Sequence, residues 1–110
     1  MGGKARLVWE SYVKVTGITL TLNDKYAESP TITAVFTPSN ATNQKVTWSL
    51  SNLKDISILS SNDTTCVLSH ADAWRNQFSV LTATSADGVT VKYRVVWTYN
   101  VSSFWDIIKI

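Results

Sequence analysis

The sequence predicts an all-β fold, an antiparallel β-sandwich of about seven strands. Short segments alternate apolar and polar residues with a period of two, and threonine is frequent on the polar face. Turn-forming residues separate these segments. A sandwich is favoured over a barrel because the segments are of uneven length and the longest lie near the two ends of the chain. The best helical candidate, residues 70–76, is too short for more than about two turns.

The first two predicted strands carry clear apolar faces. Residues 15–22 place three alternate aliphatic side chains on one face: Ile18, Leu20 and Leu22. The segment Asn23-Asp24-Lys25 predicts a turn. Residues 31–37 repeat the alternation with three inward side chains: Ile32, Ala34 and Phe36. Pro38 ends this strand because proline cannot donate to a sheet ladder.

The remaining strands are predicted at residues 45–50, 56–59, 64–68, 78–85 and 89–99. Trp48 lies at the centre of the first of these. The last two flank the strongest hairpin signal, Asp87-Gly88, since this pair suits turns that need positive φ. Their inward residues alternate along each strand: Leu81 and Ala83 on one, and Val91, Tyr93, Val95 and Trp97 on the other.

Length and composition bound the domain organisation. The 110 residues are close to the commonest size of one domain, and a hydrophobic content of 45% is ordinary for a folded chain. We expect residues 1–13 to be a leader or linker, residues 14–99 the folded domain, and residues 100–110 a C-terminal extension. The first five residues lack the apolar core of a signal peptide and resemble a fragment boundary.

Charge, hydropathy and cysteine content argue against several classes of partner. A formal net charge of +2 with scattered basic residues does not favour nucleic acid. The sequence has no run of about 18 apolar residues, so no membrane span is expected. The single cysteine, Cys66, cannot form an intramolecular disulfide, and a thiolate metal cluster is not expected.

One segment carries a recognisable order of residues. Residues 36–52 read FTPSNATNQKVTWSLSN, with a proline, a polar pair, Ala-Thr, a short gap, then Val-Thr-Trp-Ser and Ser-Asn. This order resembles the bacterial immunoglobulin-like domain, group 2. Residues 15–20 resemble the opening strand of that family, and residues 81–88 resemble its penultimate strand and final hairpin. The resemblance runs from about residue 15 to about residue 96, and its central motif is fairly specific.

Two segments depart from the family pattern. The family usually has glycines in the hairpin before the penultimate strand, whereas residues 69–77 contain none and carry Trp74. We expect this connection to be reshaped. Residues 96–105 extend beyond the usual end of the family, either as a longer last strand or as the lead into a neighbouring domain.

The resemblance implies an immunoglobulin-like β-sandwich that acts without catalysis and without a cofactor. Modules of this family belong to larger bacterial or phage surface proteins, where they space other domains or present a binding surface. The implied location is extracellular, on the cell surface or in the virion. The implied partners are neighbouring domains of the same polypeptide and a cell-surface polysaccharide or protein.

The predicted core centres on a tryptophan. Trp48 is expected to fill the space between the sheets, and Phe36, Leu81 and Val95 are expected to lie in the same core. Because no disulfide is available, Trp48 should carry more of the core than its counterpart in an antibody domain. We therefore expect Trp48→Ala to destabilise the domain severely.

A catalytic or metal site is not expected. Cys66, His70 and Asp72 are close in sequence, but one histidine and one cysteine cannot supply the usual zinc ligands, so we expect a buried Cys66 and an exposed His70. The sequence shows no acid/base pair, nucleophile set or phosphate loop. Four aspartates are interpreted as turn formers, with calcium binding by their loops left open: Asp24, Asp63, Asp72 and Asp87.

The five tryptophans leave two interpretations of the chain ends and loops. In the favoured one, Trp9 and Trp105 cover the open ends of the sandwich and Trp74 plugs the reshaped hairpin. In the alternative, an exposed Trp74 or Trp105 stacks on a sugar ring or a protein partner, as in a carbohydrate-binding module. The apolar tail, residues 104–110, is expected to pack back on the sandwich through Trp105, with Trp74 partly exposed.

Overall fold

The computed structural model describes residues 11–110, which form two four-stranded antiparallel sheets and contain no helix. The strands are β1 (Gly17–Asn23), β2 (Thr31–Thr37), β3 (Val46–Leu50), β4 (Ile56–Ser61), β5 (Thr65–His70), β6 (Gln77–Ser85), β7 (Thr90–Thr98) and β8 (Phe104–Lys109). The predicted all-β sandwich is confirmed, with eight strands instead of about seven. Within residues 11–110 no helix has the length and hydropathy needed to cross a membrane.

The order of the strands identifies the type of sandwich. One sheet has the order β1-β2-β5-β4, and the other has the order β3-β6-β7-β8. In an immunoglobulin domain the first, second, fifth and fourth strands form one sheet, and the third, sixth and seventh form the other. The first seven strands follow this order. The predicted immunoglobulin-like sandwich is therefore present, with β8 added beside β7.

The eighth strand is built from the tail. Residues 104–109 pair antiparallel with β7, and Trp105 lies opposite Trp97. Trp105 and Ile107 turn toward the core while Asp106 faces solvent, so the period-two alternation continues past residue 100. The prediction that the tail packs back on the sandwich through Trp105 is confirmed.

Both sheets contribute alternate residues to one core. Phe36, Leu81 and Val95 lie in that core, as the sequence predicts. Trp48 differs from the expectation because its side chain is only partly buried, at the margin of the core, where its Nε1 donates to the Asn62 carbonyl at 3.0 Å. β3 is an edge strand with β6 as its single neighbour, and the core covers only part of the Trp48 indole.

The turns follow local sequence signals at two places and depart from them at a third. Asp87-Gly88 forms the predicted hairpin, with Gly88 at a φ of 93°, and Asp24 takes a φ of 54° in the predicted turn after β1. The best helical candidate of the sequence, residues 70–76, forms no helix. His70 ends β5, and residues 71–76 form a turn whose backbone is held by hydrogen bonds from the next strand.

The two ends of the sandwich are distinct. Near the Asp87-Gly88 hairpin, here called the hairpin end, the Val15 N–H donates to Asp87 Oδ2 at 2.9 Å just before β1 begins. β8 runs antiparallel to β7 and so also toward this end, and the Ile110 N–H donates to the Lys92 carbonyl at 3.0 Å. β1 therefore begins, and β8 ends, toward the hairpin end. The opposite end, here called the aromatic end, carries the turns at residues 24–30, 51–55, 71–76 and 99–103.

Candidate binding surface at the aromatic end

Each turn of the aromatic end exposes at least one large apolar side chain. These side chains are Tyr26, Leu53, Trp74, Tyr99 and Val101. The connections at the hairpin end, residues 38–45, 62–64 and 86–89, expose no large apolar side chain, and the exposed Tyr12 and Ile110 near this end belong to no connection. Apolar surface gathered from four separate turns at one end of a domain is typical of an interaction surface.

Trp74 is the most prominent member of this surface. Its side chain is 75% exposed, and the edge of its ring meets Tyr99 at a centroid distance of 6.1 Å and an interplanar angle of 64°. The Trp74 N–H donates to Asp72 Oδ1 at 2.8 Å, which fixes the backbone that carries the indole. The expected role of Trp74 as the plug of the reshaped hairpin is wrong, because the indole points to solvent.

The side chain that fills the inside of the turn at residues 71–76 is that of Gln77. Its side chain is 2% exposed, and its Oε1 accepts the N–H groups of Ala71 and Asp72 at 3.1 and 3.0 Å. Its Nε2 donates to the carbonyls of Asp72 and Arg75. A single buried amide thus satisfies backbone groups of a turn that contains no glycine. The sequence signal that could have identified this role is the inward position of the polar Gln77 in the alternation of β6.

Further contacts brace the aromatic end. Arg75 Nη2 donates to Asp55 Oδ1 at 2.8 Å, and this hydrogen bond, the largest influence, raises the pKa of Arg75. It joins the turn at residues 71–76 to the turn at residues 51–55. The Tyr99 N–H donates to Asn76 Oδ1 at 2.7 Å, which joins residues 71–76 to residues 99–103 as well. Three of the four turns are therefore linked to one another.

An aromatic stack lies beneath these turns. The imidazole of His70 is stacked on the Trp97 indole, and the Trp105 indole lies 5.6 Å from His70 and 5.4 Å from Trp97, centroid to centroid. Both ring nitrogens of His70 and the Nε1 of Trp105 are buried without a hydrogen-bond partner. The expectation of an exposed His70 is wrong because the residue continues β5 with its ring turned inward.

Trp105 is not available as a contact residue. Its side chain is 1% exposed, since β8 lays it against Trp97 and His70. Of the two tryptophans predicted as possible ligand or interface contacts, Trp74 lies on the exposed surface and Trp105 lies in the core. Trp9 lies outside the described residues, as do residues 1–10 of the predicted leader.

The aspartates lie in separate turns. Asp24 Oδ1 accepts the Tyr26 N–H at 3.3 Å, and Asp72 Oδ1 accepts the Trp74 N–H. The two carboxylate oxygens of Asp87 accept from the Tyr12 hydroxyl and the Val15 N–H, and the Asp63 carbonyl accepts the Val46 N–H. Among residues 11–110 no group of three histidine, cysteine or acidic side chains is placed to hold a metal ion.

The surface at the aromatic end is open. No pocket is present in the described part of the chain. Cys66 lies in the core, where burial raises the pKa of its thiol to about 12. The groups that can make contact at this end are aromatic faces, aliphatic side chains and the polar groups of the turns.

No family model matches the chain, and neither a curated protein nor a solved structure is detectably similar to it. What the surface binds is therefore inferred from its own residues and their arrangement.

Proposed function

We propose that this domain is a non-catalytic immunoglobulin-like module of a larger bacterial or phage surface protein, and that it presents a binding surface at its aromatic end. The resemblance of residues 36–52 to the group 2 bacterial immunoglobulin-like domains supports the class and an extracellular, cell-surface or virion location. Neighbouring domains of the same polypeptide are its expected covalent partners.

One observation favours a domain that presents a binding surface over one that only spaces other domains. Four turns bring exposed apolar side chains to the aromatic end, while β1 begins and β8 ends toward the hairpin end. A spacer joined end to end has its chain connections at opposite ends. Here β8 runs back along β7, so the start of β1 and the end of β8 both lie away from the aromatic end.

Binding measurements with the 110-residue chain test this proposal. The protein is immobilised and exposed to intact bacterial cells, to purified cell-surface polysaccharides and to purified surface proteins. We expect binding that is lost in the double variant Trp74→Ala/Tyr99→Ala. The matched control is Leu59→Ser, which removes an exposed aliphatic side chain on β4, away from the aromatic end. Binding that survives the double variant and is lost in the control would place the function elsewhere.

A carbohydrate-binding module is the second candidate, and the exposed Trp74 indole favours it. Sugar rings stack on aromatic faces, and planar polar side chains hold their hydroxyls. Asp72 and Arg75 lie on either side of Trp74 in the sequence, and their side chains meet at the surface with 3.4 Å between Oδ2 and Nε. This candidate predicts that tryptophan fluorescence shifts on titration with bacterial polysaccharides. Trp74→Ala should abolish the shift without unfolding the domain, and no binding across a broad glycan screen would eliminate this candidate.

A further inference from the structure

β8 is an edge strand with a defined set of outward backbone groups. In an antiparallel pair, alternate residues direct their N–H and C=O groups toward the neighbouring strand. The Ile110 N–H bonds to Lys92 of β7, so the residues in phase with Ile110 also face β7. The intervening residues turn their backbone groups away from the sheet: Trp105, Ile107 and Lys109.

Two of these three outward amides are already bound. The Trp105 N–H donates to the Lys25 carbonyl of the opposite sheet at 2.7 Å. The Ile107 N–H donates to Asp106 Oδ1 at 2.9 Å, so the carboxylate of the preceding residue folds over the edge of the strand. The Lys109 N–H and the carbonyls of Ile107 and Lys109 face solvent in this register.

The other three edges are protected by features of the backbone or core. β4 carries a bulge between Ile58 and Ser60, which interrupts regular pairing. β3 has only five residues. On β1, the Leu20 N–H donates to the buried Tyr93 hydroxyl of the opposite sheet at 3.2 Å. β8 differs from these three edges because its central outward amide, the Ile107 N–H, is covered only by the exposed side chain of Asp106.

We propose that the outer edge of β8 is a docking site for β8 of a second copy of this chain, and that the Asp106 carboxylate keeps it closed. The two strands pair antiparallel about a two-fold axis at Ile108. Ile107 of each copy then exchanges hydrogen bonds with Lys109 of the other, which uses the outward N–H and C=O groups of both residues. Pairing requires only that the Ile107 N–H be released from Asp106.

The sequence of the strand fits this register. Asp106 lies opposite Ile110 of the second copy and Lys109 lies opposite its Ile107, so no charged side chains of like sign face each other. A register centred on Ile107 places Lys109 opposite Trp105 of the second copy, whose N–H is already bound by Lys25. The structure therefore favours the register centred on Ile108.

Apolar contact accompanies the hydrogen bonds. Ile108 is 51% exposed on the outer face of the sheet and becomes the central pair, facing Ile108 of the second copy. Side chains that face each other in such a pair lie about 5 Å apart between Cβ atoms. The segment is rich in β-branched and aromatic residues, which favour strand pairing.

The test compares two substitutions of one exposed residue. Asp106→Ala removes the acceptor for the Ile107 N–H, and Asp106→Asn keeps an acceptor oxygen while removing the charge. Sedimentation equilibrium of the 110-residue chain should show self-association about 10- to 100-fold tighter for Asp106→Ala than for the wild type. Asp106→Asn should lie between the two. Hydrogen exchange at the Ile107 and Lys109 amides should slow as the dimer of Asp106→Ala forms.

A second substitution identifies the surface that associates. Lys109→Pro in the Asp106→Ala background removes an outward N–H and no bond to β7, and it should restore wild-type association. The proposal is overturned if Asp106→Ala associates no more tightly than the wild type. It is equally overturned if the association persists with Lys109→Pro or leaves the exchange of the Ile107 amide unchanged.

Discussion

The imidazole of His70 is stacked on the indole of Trp97, with ring centroids 4.3 Å apart and ring planes inclined by 26°. Trp105 of β8 packs against both Trp97 of β7 and His70 of β5, so residues from three strands form one aromatic cluster. The ring of His70 fits this cluster by shape, but its two nitrogens find no hydrogen-bond partner there. The cluster joins β8 to the opposite sheet at the cost of a buried polar ring.

Replacing His70 with an apolar ring should stabilise the domain. His70→Phe keeps the stacking on Trp97 and removes two unpartnered polar atoms, so we expect the free energy of unfolding to rise by about 1–2 kcal/mol. Urea denaturation measures the change. His70→Ala is the control and should destabilise because the stacking is lost. A lower stability of His70→Phe than of the wild type would show that the imidazole nitrogens contribute to folding.

Truncation of the fully buried Trp105 should lower the stability of the domain more than truncation of Trp48, the tryptophan of the sequence motif. We expect Trp105→Ala to cost about 3–5 kcal/mol because it opens a cavity between β8 and the core. Trp48→Ala should cost about 1–3 kcal/mol, since the side chain is only partly buried. Denaturation midpoints of the two variants give the comparison. An equal or larger cost for Trp48→Ala would mean that the core centres on β3.

Loss of the Gln77 amide should loosen the turn that carries Trp74. Gln77→Ala removes the acceptor of the Asp72 N–H and the donor to the carbonyls of Asp72 and Arg75, and we expect a cost of about 1–3 kcal/mol. The Ala71 N–H keeps its bond to the Asp55 carbonyl at 2.8 Å, so it is the Asp72 amide that should exchange faster with solvent. Thr82→Ala, on the same strand, is the matched control and should leave the exchange of the Asp72 amide unchanged. Unaltered exchange in Gln77→Ala would show that the turn is held by other contacts.

Stability should depend on pH through Asp87. The hydrogen bond from the Tyr12 hydroxyl, followed by that from the Val15 N–H, lowers the pKa of Asp87 in the folded protein. The unfolded chain therefore binds more protons in acid than the folded one. This contribution to stability is present above the usual aspartate pKa of about 3.9 and is lost as the pH falls through the lowered pKa.

The measurement is a series of urea midpoints for the wild type and Asp87→Asn. We expect the wild type to be the more stable at about pH 6 and the difference to shrink toward about pH 2. Tyr12→Phe, which removes the first of the two donors, should reduce the pH dependence without abolishing it. Identical pH profiles for wild type and Asp87→Asn would contradict this prediction.

Most of the strands were predictable because one face of each is buried, and this imposes alternation. β8 was harder to predict, since Ile107 and Ile108 are adjacent and both apolar, which obscures the period of two. The burial of Trp48 and Trp105 could not be ranked because both lie on edge strands of the same sheet, and how far the rest of the molecule covers each indole is set by tertiary packing.

Part of the candidate surface could be predicted and part could not. In an antiparallel sandwich, connections lie alternately at the two ends, so the exposed Tyr26, Leu53, Trp74 and Tyr99 share an end because they lie on every second connection. The inward position of Gln77 was visible in the alternation of β6. The amide network that Gln77 makes depends on the shape of the turn, which local sequence did not indicate.

The hydrogen bond between the Leu20 N–H and the Tyr93 hydroxyl has a consequence for the growing chain on the ribosome. The two residues are 73 positions apart. The acceptor of the Val15 N–H, Asp87, is likewise synthesised 72 positions after Val15. At typical translation speeds of about 5–20 residues per second, β1 is finished for about 4–15 s before its cap is synthesised. Throughout that interval the outer edge of β1 is open to mispairing with another nascent chain.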